Sequence, residues 1–509
     1  MYQLSIFHLV LILLLFLFPL LIFWKRFKTQ KSSASKLPPG PWKLPFIGNL
    51  HQLIGSPLHH RSFRDLSKKY GPVMKLELGE ALTFIVSSVE AAREVLQTHE
   101  LAFAQRPKTI GFEVVASDHP GLIVSPYGEY WRHMRKVCVM ELLSAKRVQS
   151  FQSLREEEAS RFIESISSSS HQQVPINLSK TLFLVTNGMI ARAAFHKKCK
   201  DEDEFIASVK ELVTLSTGFT VPDCFPSIKF LSYMTGLKPR LMRMQKKLYQ
   251  ILDDIIDEHK MKHDSTSKVD EEDKQDLVDV LLEVQKLNDQ KFEITTNHIK
   301  LVILDIFAAG SETAATTLEW AMSELVKNPK ILEKAQAEVR EVVGGKGKVK
   351  ESDIQKLDYM KCIVKETLRL HPPVPFVARE SRKRCVILGY EIPSKSRVAV
   401  NAWALGRDPE VWDNAECFQP ERFIGSSIDL RGTNFEFLPF GAGRRMCPGI
   451  TLAFANVELI LAQMLYHFDW GLPHGAKGEE LDMSDVYGIT CRRRDDLYLV
   501  STTIIPHLK

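Results

Sequence analysis

The sequence predicts a mainly α-helical domain with a minor β-sheet region, preceded by a transmembrane anchor. Three observations carry this. Helical apolar periodicity dominates from 130 to 370 and returns at 450–467, strand-like runs are few and short, and Leu4–Trp24 is an apolar run broken only by Ser5, His8 and Pro19. Neither an internal repeat nor a long low-complexity linker divides the 509 residues after residue 45. The division that follows is 1–24 anchor, 25–45 basic and Pro-rich stem, and 46–509 one large domain.

The elements follow in chain order. About 20 apolar residues rising ~1.5 Å each span a ~30 Å hydrocarbon core. No charge precedes the run, and Lys25-Arg26 follow it, which favours an uncleaved anchor with the body on the cytosolic side. Lys+Arg minus Asp+Glu is 67 − 62 = +5, and Lys25, Arg26, Lys28, Lys31 and Lys36 supply all of it. The body is neutral, so a nucleic-acid partner has no electrostatic basis. Leu37-Pro38-Pro39-Gly40-Pro41-Trp42-Lys43-Leu44-Pro45 can form neither helix nor central strand and reads as a stiff stem. Helices are predicted at 130–165, 240–262, 296–327, 329–342, 358–370 and 450–467. Strands are predicted at Val73–Leu78, Thr83–Val86, Val386–Ile387, Arg397–Val400 and Leu497–Ser501, and a polar loop at 264–275.

Several motifs fail. Gly441-Ala442-Gly443 has Met446 where a dinucleotide fingerprint needs its third glycine, and Gly344–Lys348 lacks phosphate-loop spacing. The eight cysteines show no Cys-x-x-Cys pair, which disfavours zinc-ribbon and thioredoxin-type sites, and a cytosolic body keeps them reduced. One is a candidate ligand. Residues 440–449 read Phe-Gly-Ala-Gly-Arg-Arg-Met-Cys-Pro-Gly. A thiolate is a soft ligand and a strong donor to iron, and needs amides and positive charge to stay deprotonated. Gly441, Gly443 and Gly449 allow a tight turn beneath Cys447, and Arg445 is free to pair with a carboxylate. The helix at 450–467 would place Cys447 just before its positive end.

Here the chain resembles the cytochrome P-450 family, whose haem-binding signature Phe-x-x-Gly-x-Arg-x-Cys-x-Gly it matches at Phe440, Gly443, Arg445, Cys447 and Gly449. The resemblance runs from the stem to the C-terminus. It is closest to plant A-type enzymes of the 71 clan, on Tyr127-Gly128-Glu129-Tyr130-Trp131-Arg132 and Asp408-Pro409-Glu410-Val411-Trp412. It implies haem b, held by Cys447 between the long central helix and the Cys-loop helix. It implies a buried structural triad of Glu366, Arg369 and Arg422, from Lys365-Glu366-Thr367-Leu368-Arg369 and Pro420-Glu421-Arg422-Phe423. It implies that Trp131, Arg135 and Arg379 reach haem propionates, and that Glu312 and Thr313 of Ala309-Gly310-Ser311-Glu312-Thr313-Ala314 organise proton delivery. A mid-helix glycine costs about 1 kcal/mol against alanine. At Gly310 the resemblance explains that cost by a bulge that admits dioxygen. Ala314 departs from the usual Thr or Ser. Ala378, where Pro is commoner, sits in a 375–379 loop that looks one residue short.

The function so implied is a membrane-bound monooxygenase of the endoplasmic reticulum. It inserts one oxygen atom from dioxygen into a hydrophobic plant metabolite, with a terpenoid preferred. Electrons come from NADPH through a cytochrome P-450 reductase, since the chain carries no flavin or nicotinamide motif. Arg132, Lys136 and Arg444 are candidates for the docking face. The pocket expectation is Phe112, Ile123, Phe219, Phe307, Val374, Phe376 and Ile489. The alternatives are an alkaloid or phenolic oxidase, a reductase-independent isomerase or dehydratase, and a non-enzymatic haem-binding membrane protein.

Overall fold

A computed structural model describes residues 36–507, apart from 54, 56–57, 117–120, 171–173, 196–201, 217, 266–274, 288–292 and 487. The anchor at 1–24 and nearly all of the polar loop at 264–275 lie outside the described residues.

The helices follow the apolar periodicity where it is long and uninterrupted. The central helix is Thr296–Lys327, capped by Thr295, whose hydroxyl accepts from the His298 amide. The Cys-loop helix is Ile450–His467. Both are apolar and long enough to cross a membrane, yet most of each is buried within the domain, so they are core helices. The 130–165 segment, expected as one helix, is four pieces: Glu129–Val137, a wider turn at Cys138–Leu142, Ala145–Ser150 and Gln152–Ser170. Ser144 sits in extended backbone at the break, and its hydroxyl accepts from the Arg147 amide, ending one helix and starting the next.

A four-stranded sheet lies at one end. Its order is Val73–Leu78, Ala81–Val86, Arg397–Asn401, Phe376–Glu380. The first two strands form a hairpin in which Leu78 faces Ala81. Ala81–Val86 runs parallel to Arg397–Asn401, with Thr83 opposite Arg397, and Phe376–Glu380 closes the sheet antiparallel, with Val377 opposite Val400. The 375–379 segment, expected as a substrate-facing loop, is thus mostly strand, and Ala378 is paired with Ala399.

The stem from 36 to 45 lies against this sheet. The Lys75 amide donates to Pro39 O at 2.8 Å, and Asn49 Nδ2 donates to the carbonyls of Pro41 and Trp42. A side chain at Gly40 would meet the Lys75 carbonyl at 2.0 Å, so this residue must be small.

The largest apolar core joins the C-terminal half of the central helix to helices Asp358–Leu370 and Ile450–His467. A second core packs the N-terminal half against Leu178–Phe195 and Leu237–Ser265. Between them lies the cavity.

Candidate active site

The central helix presents Val302, Asp305, Ile306, Ala309, Gly310, Thr313, Ala314 and Thr317 to a cavity of ≈ 320 Å³. These positions recur at three and four residues, so they form one stripe. Opposite them the cysteine loop and its helix contribute Phe440, Gly441, Cys447, Leu452, Ala453 and Phe454.

The loop is built around its backbone. Gly443 has φ +68°, and a Cβ there would meet the Leu96 carbonyl at 2.3 Å, so this position requires glycine twice over. The Cys447 amide donates to Phe440 O at 3.0 Å. Gly449 caps the following helix, and its amide donates to Cys447 Sγ at 3.4 Å. Burial pushes the thiol up, against the Gly449 amide and the charges of Arg135 and Arg106, which pull it down. The amide hydrogen and the positive charge that the sequence predicts beside the sulfur are both present. A bound metal ion deprotonates a coordinating thiol outright.

One edge of the cavity is lined by four guanidinium groups, from Arg106, Arg135, Arg379 and Arg445. Their hydrogen-bond acceptors are backbone carbonyls. Arg445 donates to Ala104 O at 2.8 Å and to Ser125 O, Arg135 to Met446 O at 2.6 Å, Arg106 to Ala378 O at 2.6 Å, and Arg379 to Ala378 O and Ala442 O. Among the described residues, Arg106 Nε and Arg445 Nη1 are buried without a protein partner. Burial, then mutual repulsion, holds Arg379 well below the usual arginine range and Arg445 at about 9. Burial lowers Arg106 to about 10. Such a cluster calls for anions. An apolar, thiol-based cavity with a cationic edge fits an iron porphyrin with two carboxylates.

Trp131 meets this edge through its ring, 4.3 Å from the Arg445 guanidinium carbon and 5.3 Å from that of Arg135. Its indole N–H donates to Leu122 O at 3.0 Å. Arg106 was missed in the sequence because a single arginine in a loop has no spacing partner to mark it. Asp305 was also missed. It accepts from the Ile123 amide at 3.1 Å, and burial raises its carboxyl to about 7. A charged residue within the apolar stripe was the available signal.

Gly310 lines the cavity, but its hydrogen side faces Ile190, whose Cδ1 would lie 2.9 Å from an added Cβ. Close packing against Leu178–Phe195 explains this glycine. The helix runs unbroken through it, so the expected bulge is absent. Thr313 lines the cavity and donates to Ala309 O at 2.6 Å. Glu312 is off that stripe and accepts from Thr490 Oγ1 at 2.5 Å.

Glu366, Arg369 and Arg422 come together. Arg369 grips both Glu366 oxygens at 2.7 Å, and Arg422 Nε reaches Oε1 at 3.0 Å. The rest of the Arg369 fork holds the carbonyls of Gly406, Ala415 and Cys417, pinning an irregular segment that leads to the cysteine loop. Glu366 and Arg369 are fully buried.

Of the expected pocket residues, Ile123, Val374 and Phe376 lie on the cavity wall. Phe112, Phe219, Phe307 and Ile489 do not. Phe307 is turned into the helical core between Phe195 and Phe205, and Phe219 packs on His59 and Phe63 beside the sheet. Of the candidate docking cations, Arg444 is paired with Glu100 at 2.8 Å and Arg132 with Glu129 at 3.9 Å, while Lys136 is exposed.

A cysteine at the mouth of a helix, a cationic edge and a facing stripe of small residues define a haem-thiolate site in an α-rich fold. The family model for Cytochrome P450 matches residues 38–498, and the chain belongs to that family. It is a haem-dependent monooxygenase by that membership. It is 52% identical over 500 residues to a melianol synthase of Ailanthus altissima, covering 97% of this chain and 95% of that one. It is 51% identical to a desmethyl-deoxy-podophyllotoxin synthase of Sinopodophyllum hexandrum, covering 95% of each. A zebra fish cytochrome P450 structure with progesterone superposes with a TM-score of 0.75 at 27% identity, over 88% of this chain and 99% of that one.

Proposed function

We propose that this chain hydroxylates or epoxidises a hydrophobic plant terpenoid. Cys447 holds the haem iron, and electrons arrive from NADPH through a separate cytochrome P-450 reductase. Bound haem supplies the iron at which dioxygen is activated. The protein's own groups do the rest. Arg106, Arg135, Arg379 and Arg445 neutralise the two carboxylates of the cofactor and fix its orientation. Leu122, Ile123, Val302, Ile306, Val374 and Phe376 form an apolar wall that excludes water and receives a ligand of low polarity. Thr313 offers the hydroxyl on that wall, and Glu312 is the adjacent acid, so together they move protons inward.

The observation that carries this reading is the placement of the Thr313 hydroxyl and Cys447 on facing walls of one cavity with an apolar lining. The melianol synthase likeness supports the terpenoid class. Residues 1–24 serve as the single anchor in the endoplasmic reticulum membrane, with the 46–509 domain cytosolic. The test is to feed microsomes carrying the protein and a reductase a panel of terpenoids, alkaloids and phenolics, then identify products. Oxygenated terpenoids formed only with NADPH and reductase support the reading. Products formed only from alkaloids or phenolics, or formed without reductant, overturn it.

A further inference from the structure

Near the C-terminus a short hairpin, Asp485–Val486 paired with Arg492–Arg493, projects toward the central helix. Thr490, buried beside its tip, gives its hydroxyl hydrogen to Glu312 Oε1 at 2.5 Å. The next residue is clamped on every side. The Cys491 amide donates to Pro373 O at 2.7 Å, its carbonyl accepts from the Trp320 indole at 3.0 Å, and its thiol donates to Asp485 Oδ2 at 3.2 Å. Asp485 is in turn bonded to His60 at 2.9 Å and Arg61 at 2.8 Å. Thr490 is therefore set on a rigid base. That base hangs from Pro373, and both Pro373 and its neighbour Val374 lie on the cavity wall.

We propose that Thr490 is a positioning residue for proton delivery, holding the Glu312 carboxylate at the hairpin, on a base fixed to Pro373. The inference rests on the reading that Glu312 and Thr313 move protons. A carboxylate on a flexible stem samples several rotamers, and a charge-assisted hydrogen bond selects one of them. A proton relay needs its groups held within a fraction of an ångström.

The test uses the full-length holoenzyme with reductase and the terpenoid turned over best in the panel above. Thr490→Val keeps the shape and removes the donor, while Thr490→Ser keeps the donor. The expected result for Thr490→Val is about a tenfold fall in product per NADPH consumed, the scale of one lost hydrogen bond to a charged group. Spectrally measured substrate affinity is unchanged, and the solvent isotope effect on product formation increases. Thr490→Ser restores the coupling and the isotope effect. A readout independent of turnover is hydrogen exchange at amides 488–492. It quickens equally in Thr490→Val and Glu312→Ala, and no further in the double variant. Wild-type coupling in Thr490→Val, or additive exchange in the double variant, overturns the inference. If Glu312→Gln and Thr313→Ala themselves leave coupling intact, the proton-delivery reading falls instead.

Discussion

The Arg445 guanidinium carbon lies 4.3 Å from the centroid of the Trp131 ring, and the Arg445 Nη1 atom, though buried, has no acceptor among the described residues. The ring face holds the cation in place by cation–π attraction while leaving a donor for an anionic ligand. Arg445→Leu removes one of four like charges, so the cofactor-free chain loses little stability or gains some. Haem retention falls by at least tenfold, read as the rate of transfer to apomyoglobin. An unchanged transfer rate would argue against a carboxylate at this edge.

Cys447→Ala removes the sulfur that accepts from the Gly449 amide. The reduced, carbon monoxide-bound spectrum is expected to lose its thiolate-type band, and turnover to vanish. Retention of the band would transfer the ligand role to another residue.

Glu366→Gln leaves Arg369 and Arg422 buried against a neutral partner. Breaking a buried charge pair from one side costs about 3–5 kcal/mol. Urea unfolding should show a loss of that size, with the m-value unchanged. A loss under about 1 kcal/mol, as exposed pairs give, would place the triad in solvent.

Asp305 titrates near 7 in the folded chain and near 3.8 in the unfolded one, because burial disfavours its charge. Between those values the folded chain holds the extra proton. Its contribution to stability is therefore complete below about pH 3.8 and is lost as the pH rises through about 7. Asp305→Asn keeps an oxygen for the Ile123 amide and removes the titration. The stability difference between variant and wild type should tilt in the variant's favour across that window. A constant difference from pH 4 to pH 8 would assign the carboxyl an ordinary acidity.

Thr313→Ala deletes the hydroxyl on the cavity wall. NADPH consumption should continue while product falls and released hydrogen peroxide rises. Unchanged coupling would remove Thr313 from proton delivery.

Legibility in the sequence followed the range of the forces. The central helix, Thr296–Lys327, was readable to both ends, because its apolar period is long. The triad was readable only through the family resemblance of two short motifs, since Glu366 and Arg369 alone look like a surface pair. The break at Ser144 was hidden, since a capping serine inside an amphipathic run looks like any polar position. Phe307 was assigned to the pocket because it lies in a stretch that the family resemblance implies lines it. Its direction was set by Phe195 and Phe205, which come from separate helices. Arg106 and the Thr490–Glu312 bond depend on chain segments far apart, and no local pattern records them.

The four guanidinium groups that repel one another around an anion-ready edge also make a sorting device. A chain emerging without its cofactor carries a site that favours any flat molecule with two free acids, and disfavours the same ring with its acids esterified. Assembly would then discriminate by charge before the sulfur ever meets iron. Inorganic phosphate or a dicarboxylate buffer should compete with loading, and salt should slow it. The arrangement that looks costly in the empty fold is what makes the filled one selective.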